Sequence, residues 1–328
     1  MPVPTKLPLP AHVYRTELTT SFRRLTIRTG VLLEGPAGWA EVSPFSEYGT
    51  EESATWLKAA LETAYLGFPN PVRGTVPVNV TVPATSPERA ARIVTRGGCH
   101  TAKIKVAEAG QGPGDDLARV RAVREVFDGK IRLDANGAWD RDDAVTMIAR
   151  LDEAAGGLEY VEQPSPTPED LAYVRSRVDV PIAADESIRK SGDPFKVARL
   201  GAADLIVAKV QPLGGIRACL RLAEELGMAV VVSSALESSV GIAAGVALGA
   251  CLPRLDHACG LATVQLFDQD VSQTPLVPRD GSLPLGVPPV TLHRVDPALE
   301  REWADRLDAM WEHLQRTTDV SELTGGAL

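Results

Sequence analysis

Between about residues 75 and 262, short apolar runs alternate with amphipathic stretches, and this beat constrains the fold more than any other feature. The runs are VPVNVTVPA, AKIKV, IRLDAN, LEYVEQP, PIAADES, ADLIVAKV, AVVVSS and ACGLAT. Between them lie helix-like patterns such as PERAARIVTRG, DLARVRAVREVF and DDAVTMIARLDEA. Successive runs are roughly 20–30 residues apart, the length of a strand–helix unit that returns parallel to itself. Eight such units predict an α/β fold, a TIM-type (β/α) barrel over residues 75–262, with its chemistry at the C-terminal strand ends. An open doubly wound sheet is the alternative, but VNVTVPATSPE lacks the glycine-rich phosphate turn expected after its first strand.

The two ends differ in character. In residues 1–74, YRTELTTSF and LTIRTGVLLEG alternate like antiparallel strands, and EESATWLKAALETAYLG is an amphipathic helix. Residues 263–328 are rich in proline and glycine and carry a helical piece, ALEREWADRLDAMWEHL. These ends predict a small α+β capping domain built from the N-terminal segment, with the C-terminal tail packing back on cap and barrel.

Composition narrows the function classes. A chain of 328 residues, 44% hydrophobic, can bury a large core. A formal charge of -9 argues against a nucleic-acid partner, which would call for a basic stripe. No apolar run reaches membrane-spanning length, and VGIAAGVALGACL reads as a buried helix. The opening MPVPTKLPLP lacks the pattern of a signal peptide. Cys99, Cys219, Cys251 and Cys259 have no close CxxC pairing and read as buried thiols of a reducing cytoplasm. The expectation is a soluble cytoplasmic protein, a monomer, with neither nucleic acid nor membrane as partner.

The charges near the strand ends form a pattern. Period-two geometry sends Lys103 and Lys105 of TAKIKV to one face and Ile104 and Val106 to the other. If the apolar face meets the helices, both ammonium groups point into the barrel. The third strand ends in Asp134, the fourth in Glu162, the fifth near Asp185, and the sixth holds Lys209. Carboxylates from three adjacent strands would repel one another unless a positive charge offset them. Oxygen ligands suit a hard cation, Mg²⁺ or Mn²⁺. No histidine falls at a strand end, which counts against a zinc hydrolase. Strands two and six are opposed in an eight-membered ring, so Lys105 and Lys209 face each other across the mouth. Lysines beside a cation suit proton transfer next to a carboxylate, with Lys103 lowering the proton affinity of Lys105 by like-charge repulsion. A Schiff-base aldolase would use Lys209 but has no need of the carboxylates. Glu159 and Asp204 read as solvated strand-start charges, and Asp115, Asp116, Asp142 and Asp143 as helix N-terminal charges. Trp39 and Phe45 read as core of the cap.

With these residues in place, the chain resembles the enolase superfamily in its muconate-lactonizing subgroup. The motifs KIK, DAN, VEQP, ADES and KVQPLGG stand in family order over most of the chain. The resemblance implies that Asp134, Glu162 and Asp185 ligate the metal, that Lys105 is the general base, and that Lys209 is the opposed cation. It implies substrate contacts from Arg132, Ser233, Ser234 and Gly260, and a supporting place for Asn136 beside the metal. Longer matches such as GWAEVSPFSEY, IAADESIRKSGDP and HACGLAT point to one branch of the subgroup. That branch implies a small carboxylate substrate and syn dehydration of 2-succinyl-6-hydroxy-2,4-cyclohexadiene-1-carboxylate in menaquinone biosynthesis. N-succinylamino acid racemisation or dipeptide epimerisation is the alternative on the same scaffold.

Overall fold

The strand face that carries Lys103 also carries an arginine and two carboxylates from its neighbours, and the fold is the means of turning that polar face inward. The computed structural model describes residues 2–327. Three antiparallel strands, β1 (Ala11–Phe22), β2 (Leu25–Gly35) and β3 (Gly38–Val42), lead into helix α1 (Thr50–Leu66). After β4 (Thr75–Pro77) comes the parallel sheet: β5 (Val80–Val82), β6 (Thr101–Lys105), β7 (Lys130–Asp134), β8 (Tyr160–Glu162), β9 (Ile182–Ala184), β10 (Leu205–Ala208) and β11 (Ala229–Val232). They pair in chain order. Helices α2 (Pro87–Arg96), α3 (Pro113–Val126), α4 (Arg141–Ala155), α5 (Pro168–Arg175), α6 (Glu186–Arg189), α7 (Phe195–Arg199) and α8 (Ile216–Leu226) connect the strands, and α9 (Ser239–Cys251) follows the last. A short β12 (Ser282–Pro284) pairs back on β4, and α10 (Pro297–Thr317) and α11 (Val320–Thr324) complete the chain.

The ring closes through a dipeptide. ACGLAT forms no full strand; Cys259 bridges Val78 and Gly260 bridges Ser233, both in parallel sense, so these two residues join the sheet's edges. Four backbone bonds hold the junction, including Asn79 N to Cys259 O at 2.9 Å and Gly260 N to Val232 O at 2.8 Å. A Cβ at 260 would lie 2.5 Å from Ser233 Oγ, so a larger residue there would force the serine side chain to move.

Local signals explain where helices begin and end. Ser86, Asp140, Thr167 and Ser238 each accept a backbone N–H of the first turn that follows. Gly156 ends α4 in the left-handed conformation that glycine adopts without steric cost. Ile104, Leu133 and Val161 face outward into the helix layer, whose core also holds Ile148, Leu151 and Ile206. Inside the barrel the apolar plug is small: Tyr160, Ala183, Leu205, Val207 and Val231. A separate core joins β1–β3 and α1 to the tail helix, with Trp56, Trp303, Leu307 and Met310 at its centre. No helix is long and apolar enough to cross a membrane among the described residues.

Candidate active site

Register places the inward side chains in rows. Lys103 stands opposite Arg132, and Lys105, Asp134 and Glu162 form the next row toward the C-terminal ends. The mouth therefore gathers three lysines and three carboxylates in a nearly dry space. Asp134, Glu162 and Asp185 are at most 1% exposed, and Lys103 and Lys209 are buried. Lys105 Nζ donates to Asp134 Oδ2 at 2.5 Å and to Asn136 Oδ1 at 2.7 Å. Lys103 Nζ donates to Glu162 Oε2 at 2.7 Å and lies 3.3 Å from Asp134 Oδ2. Lys209 Nζ donates to Asp185 Oδ2 at 2.6 Å from the other side of the ring.

These pairings set the electrostatics. Burial lowers the proton affinity of Lys105, and the charge of Lys103 lowers it further, against the pull of Asp134. Burial also disfavours the charged form of Lys103, but Glu162 and Asp134 outweigh it and hold the amine protonated. Asp134, despite burial, is kept well below the usual carboxylate range by Lys105 and Lys103. Asp185 is kept low by Arg189 and Lys209, again against burial. Glu162 goes the other way, pushed up to about 7 by burial and by the negative charge of Asp134.

The donor set fits a hard cation. All three carboxylates come from consecutive strands, and Glu162 Oε1 is buried with no hydrogen-bond partner among the described residues. A buried acceptor left without a partner costs about 1–3 kcal/mol, and a cation beside it would remove that cost. As they stand, each carboxylate faces an amine, and no three acidic, histidine or cysteine side chains are grouped as ligands among the described residues.

The strand ends carry backbone strain that aims the side chains. Ala107, Asn136, Gln163 and Leu236 are non-glycine residues with positive φ, following β6, β7, β8 and β11. Such conformations cost about 1–3 kcal/mol each and concentrate at functional sites. Gln163 fixes the third carboxylate: its Oε1 accepts from Asp185 N at 3.0 Å and Ser187 N at 3.1 Å. Arg189, one turn after Asp185, donates to Asp185 Oδ1 at 3.0 Å and to Tyr48 OH at 3.2 Å. Neither residue was singled out from the sequence, although the four-residue spacing of Asp185 and Arg189 on a helix is a usable signal.

The mouth opens into a small cavity of about 30 Å³. Lys103, Lys105, Asp134, Asn136 and Lys209 line it, as do Ser233, Ser234 and Gly260 from the closing strands. From β1–β3 come Phe22, Arg23 and Phe45, with the Phe22 ring 5.5 Å from Lys105 Nζ. Phe45 is thus both buried core and cavity wall, whereas the sequence reading gave it to the core alone. Ala235 and Leu236 also line it, and a buried network ties the 235–238 segment to β1–β3. Arg28 Nε donates to Leu236 O at 2.9 Å; Glu41 accepts from Tyr14 OH at 2.8 Å and from Ser238 N at 3.1 Å. Gln211, two residues after Lys209, accepts from Ser43 N at 3.0 Å.

Arg132 sits below the cavity. It shares a face with Asp134 but lies one row deeper, fully buried and absent from the cavity lining. It donates to Glu159 Oε2 at 2.5 Å, Ala258 O at 2.6 Å and Tyr160 OH at 3.2 Å. These partners hold it in the barrel floor, one row below the cavity. Glu159, expected to be solvated, is instead a largely buried carboxylate that also accepts from Lys130 at 2.9 Å. Asp116 stands in the first turn of α3 as expected, but it is buried against Arg119 at 2.8 Å and accepts from Ala107 N at 2.9 Å. The four cysteines are free thiols, Cys251 only half-buried.

Residues 86–289 match the family described as "Enolase C-terminal domain-like", and residues 13–64 match "Enolase N-terminal domain-like". The o-succinylbenzoate synthase of Thermobifida fusca is 56% identical over 309 residues, 91% of this chain and 96% of that protein. The o-succinylbenzoate synthase of Mycolicibacterium smegmatis is 53% identical over 273 residues, 83% of this chain and 84% of that protein. Among solved structures, a substrate-liganded L-Ala-D/L-Glu epimerase from Bacillus subtilis superposes with a TM-score of 0.73 at 25% identity, covering 88% of this chain and 98% of that one.

Proposed function

Because the chain belongs to the enolase superfamily and, within it, to the family of the o-succinylbenzoate synthases, we propose that its barrel mouth dehydrates 2-succinyl-6-hydroxy-2,4-cyclohexadiene-1-carboxylate to o-succinylbenzoate in menaquinone biosynthesis. The observation that carries this is a base with lowered proton affinity, Lys105, facing a second buried amine, Lys209, across a carboxylate cluster.

Lys105 removes the proton next to the ring carboxylate. Burial and Lys103 favour its neutral form, the one able to accept that proton. Lys209 holds a positive charge opposite, against the enediolate that develops. Departure of hydroxide on the same face lets Lys105 return its proton to the leaving oxygen, so one residue serves as base and then as acid. Asn136 holds the Lys105 amine from the side. Asp134, Glu162 and Asp185 would hold Mg²⁺, with Mn²⁺ as a substitute; the ion supplies Lewis-acid charge worth several kcal/mol to the developing dianion. Ser233, Ser234 and Gly260 line the cavity and would contact the substrate there.

A second reading has its own observation. Amines on both walls also suit removing a proton from one face and returning it on the other, as in N-succinylamino acid racemisation or dipeptide epimerisation. Offering the cyclohexadiene carboxylate and N-succinyl amino acids side by side in D₂O separates the two. Water loss from the first, with slow or no α-proton exchange in the second, supports dehydration. Fast exchange with no water loss rejects it.

A further inference from the structure

The tip of the β1–β2 hairpin is a wall with two sides. Phe22 and Arg23 face the catalytic cavity, while Thr19 and Thr20 border a second groove of about 400 Å³. Thr81 lines both spaces, so the two adjoin. On the groove side α2 presents Arg89, Arg92 and Arg96, spaced three and four apart and so on one helix face. Arg89 is committed to the wall, donating to Thr19 O and Thr20 Oγ1. Arg92 and Arg96 are exposed and make no hydrogen bond or ion pair among the described residues. No acidic side chain lines the groove; Glu88, one turn from Arg92, feels its charge but lies outside. Opposite the arginines, Gln265 Nε2 donates to Gly97 O at 3.1 Å, while its Oε1 is buried with no partner among the described residues.

Three cations kept together without acids, in a chain of net charge -9, make a local anion site against the field of the whole molecule. A guanidinium pairs well with a carboxylate, and the orphaned Gln265 oxygen calls for a hydroxyl or amide donor. A dicarboxylate that also carries a hydroxyl offers both. We propose that this groove is a landing site for the dianionic substrate, captured beside the cavity in which it reacts. The inference rests on the dehydration reading above.

The test compares R92E/R96E with a remote control of equal charge change, R301E/R316E, whose positions are exposed on α10. Thermal unfolding should show both variants folded, since exposed substitutions rarely shift stability by more than about 0.5 kcal/mol. With the cyclohexadiene carboxylate at low ionic strength, kcat/KM of R92E/R96E should fall roughly tenfold with kcat unchanged, while the control changes little. The gap should close near 1 M salt, where the screening length is about 3 Å. Equal kcat/KM in the two variants, or a loss that lies in kcat or persists at high salt, would overturn the landing site alone. No turnover by the unsubstituted enzyme would overturn the functional reading and this inference with it.

Discussion

Two charge networks occupy the same barrel, one row apart on the same strands. At the floor, Glu159 collects Lys130, Arg132 and His257, and despite burial it is held well below the ordinary carboxylate range, His257 and Arg132 contributing most. At the mouth, Asp134, Glu162 and Asp185 each take a lysine of their own, and Glu162 is pushed up by burial and its neighbour's charge. The floor has more cations than anions around one carboxylate, and its side chains interlock with the Tyr160 plug. The mouth has a cavity, carboxylates from three strands and a buried acceptor oxygen without a partner. Buried ion pairs are common to both, so ion pairing alone does not mark a site. A buried acceptor left unpaired beside a cavity does.

Mutation should separate the rows. The largest expected effect is Lys105→Ala, which should lower dehydration by roughly 10²–10⁴-fold, the range typical of a general base, while thermal unfolding shows an intact fold. Comparable turnover in that variant would refute the role of Lys105. Arg132→Met should do the reverse. Breaking a buried pair costs about 3–5 kcal/mol of stability, yet kcat/KM of the folded fraction should stay within about twofold. A raised KM at unchanged stability would instead mean that Arg132 reaches the substrate, as the family pattern implies.

A smaller effect tests the junction between β3 and the barrel. Glu237 is buried beside Glu41, and burial and that charge push it up to about 7, with Arg28 opposing. Its folded value lies above the ordinary carboxylate value, so the folded state holds a proton that the unfolded chain releases. The associated stability is full below the unfolded pKa, about 4.3 for Glu, and is lost as pH rises through about 7. Glu237→Gln should therefore flatten the fall in stability between about pH 4 and 7, an effect on the order of 1–3 kcal/mol. Urea unfolding of both proteins across that range checks it, and identical pH profiles would contradict it.

Much of the site was legible because period two is strict. Once TAKIKV is a strand with Ile104 on the helix side, Lys103 and Lys105 have nowhere to point but inward, and the same logic places Asp134 and Glu162. Depth along the barrel was not legible. Arg132 and Asp134 share a face, and only the register and the partners waiting at each level separate a floor residue from a mouth residue. The eighth strand was overestimated for a related reason. ACGLAT has the composition of a strand, but two residues suffice to close the ring, and the chain turns away at once into the 263–266 helical turn. The contribution of β1–β3 was the least legible part. Phe22 meets Lys105 from 83 positions away, and Arg28 and Glu41 meet residues about 200 positions away, which no local pattern encodes.

The central claim is that the three carboxylates of the mouth work as a cation site serving Lys105. Enzyme stripped with chelator, then titrated with Mg²⁺ while water loss from the cyclohexadiene carboxylate is followed, tests it most directly. Activity should be absent at the start and return with saturable dependence on Mg²⁺. Full turnover in the stripped enzyme would contradict it.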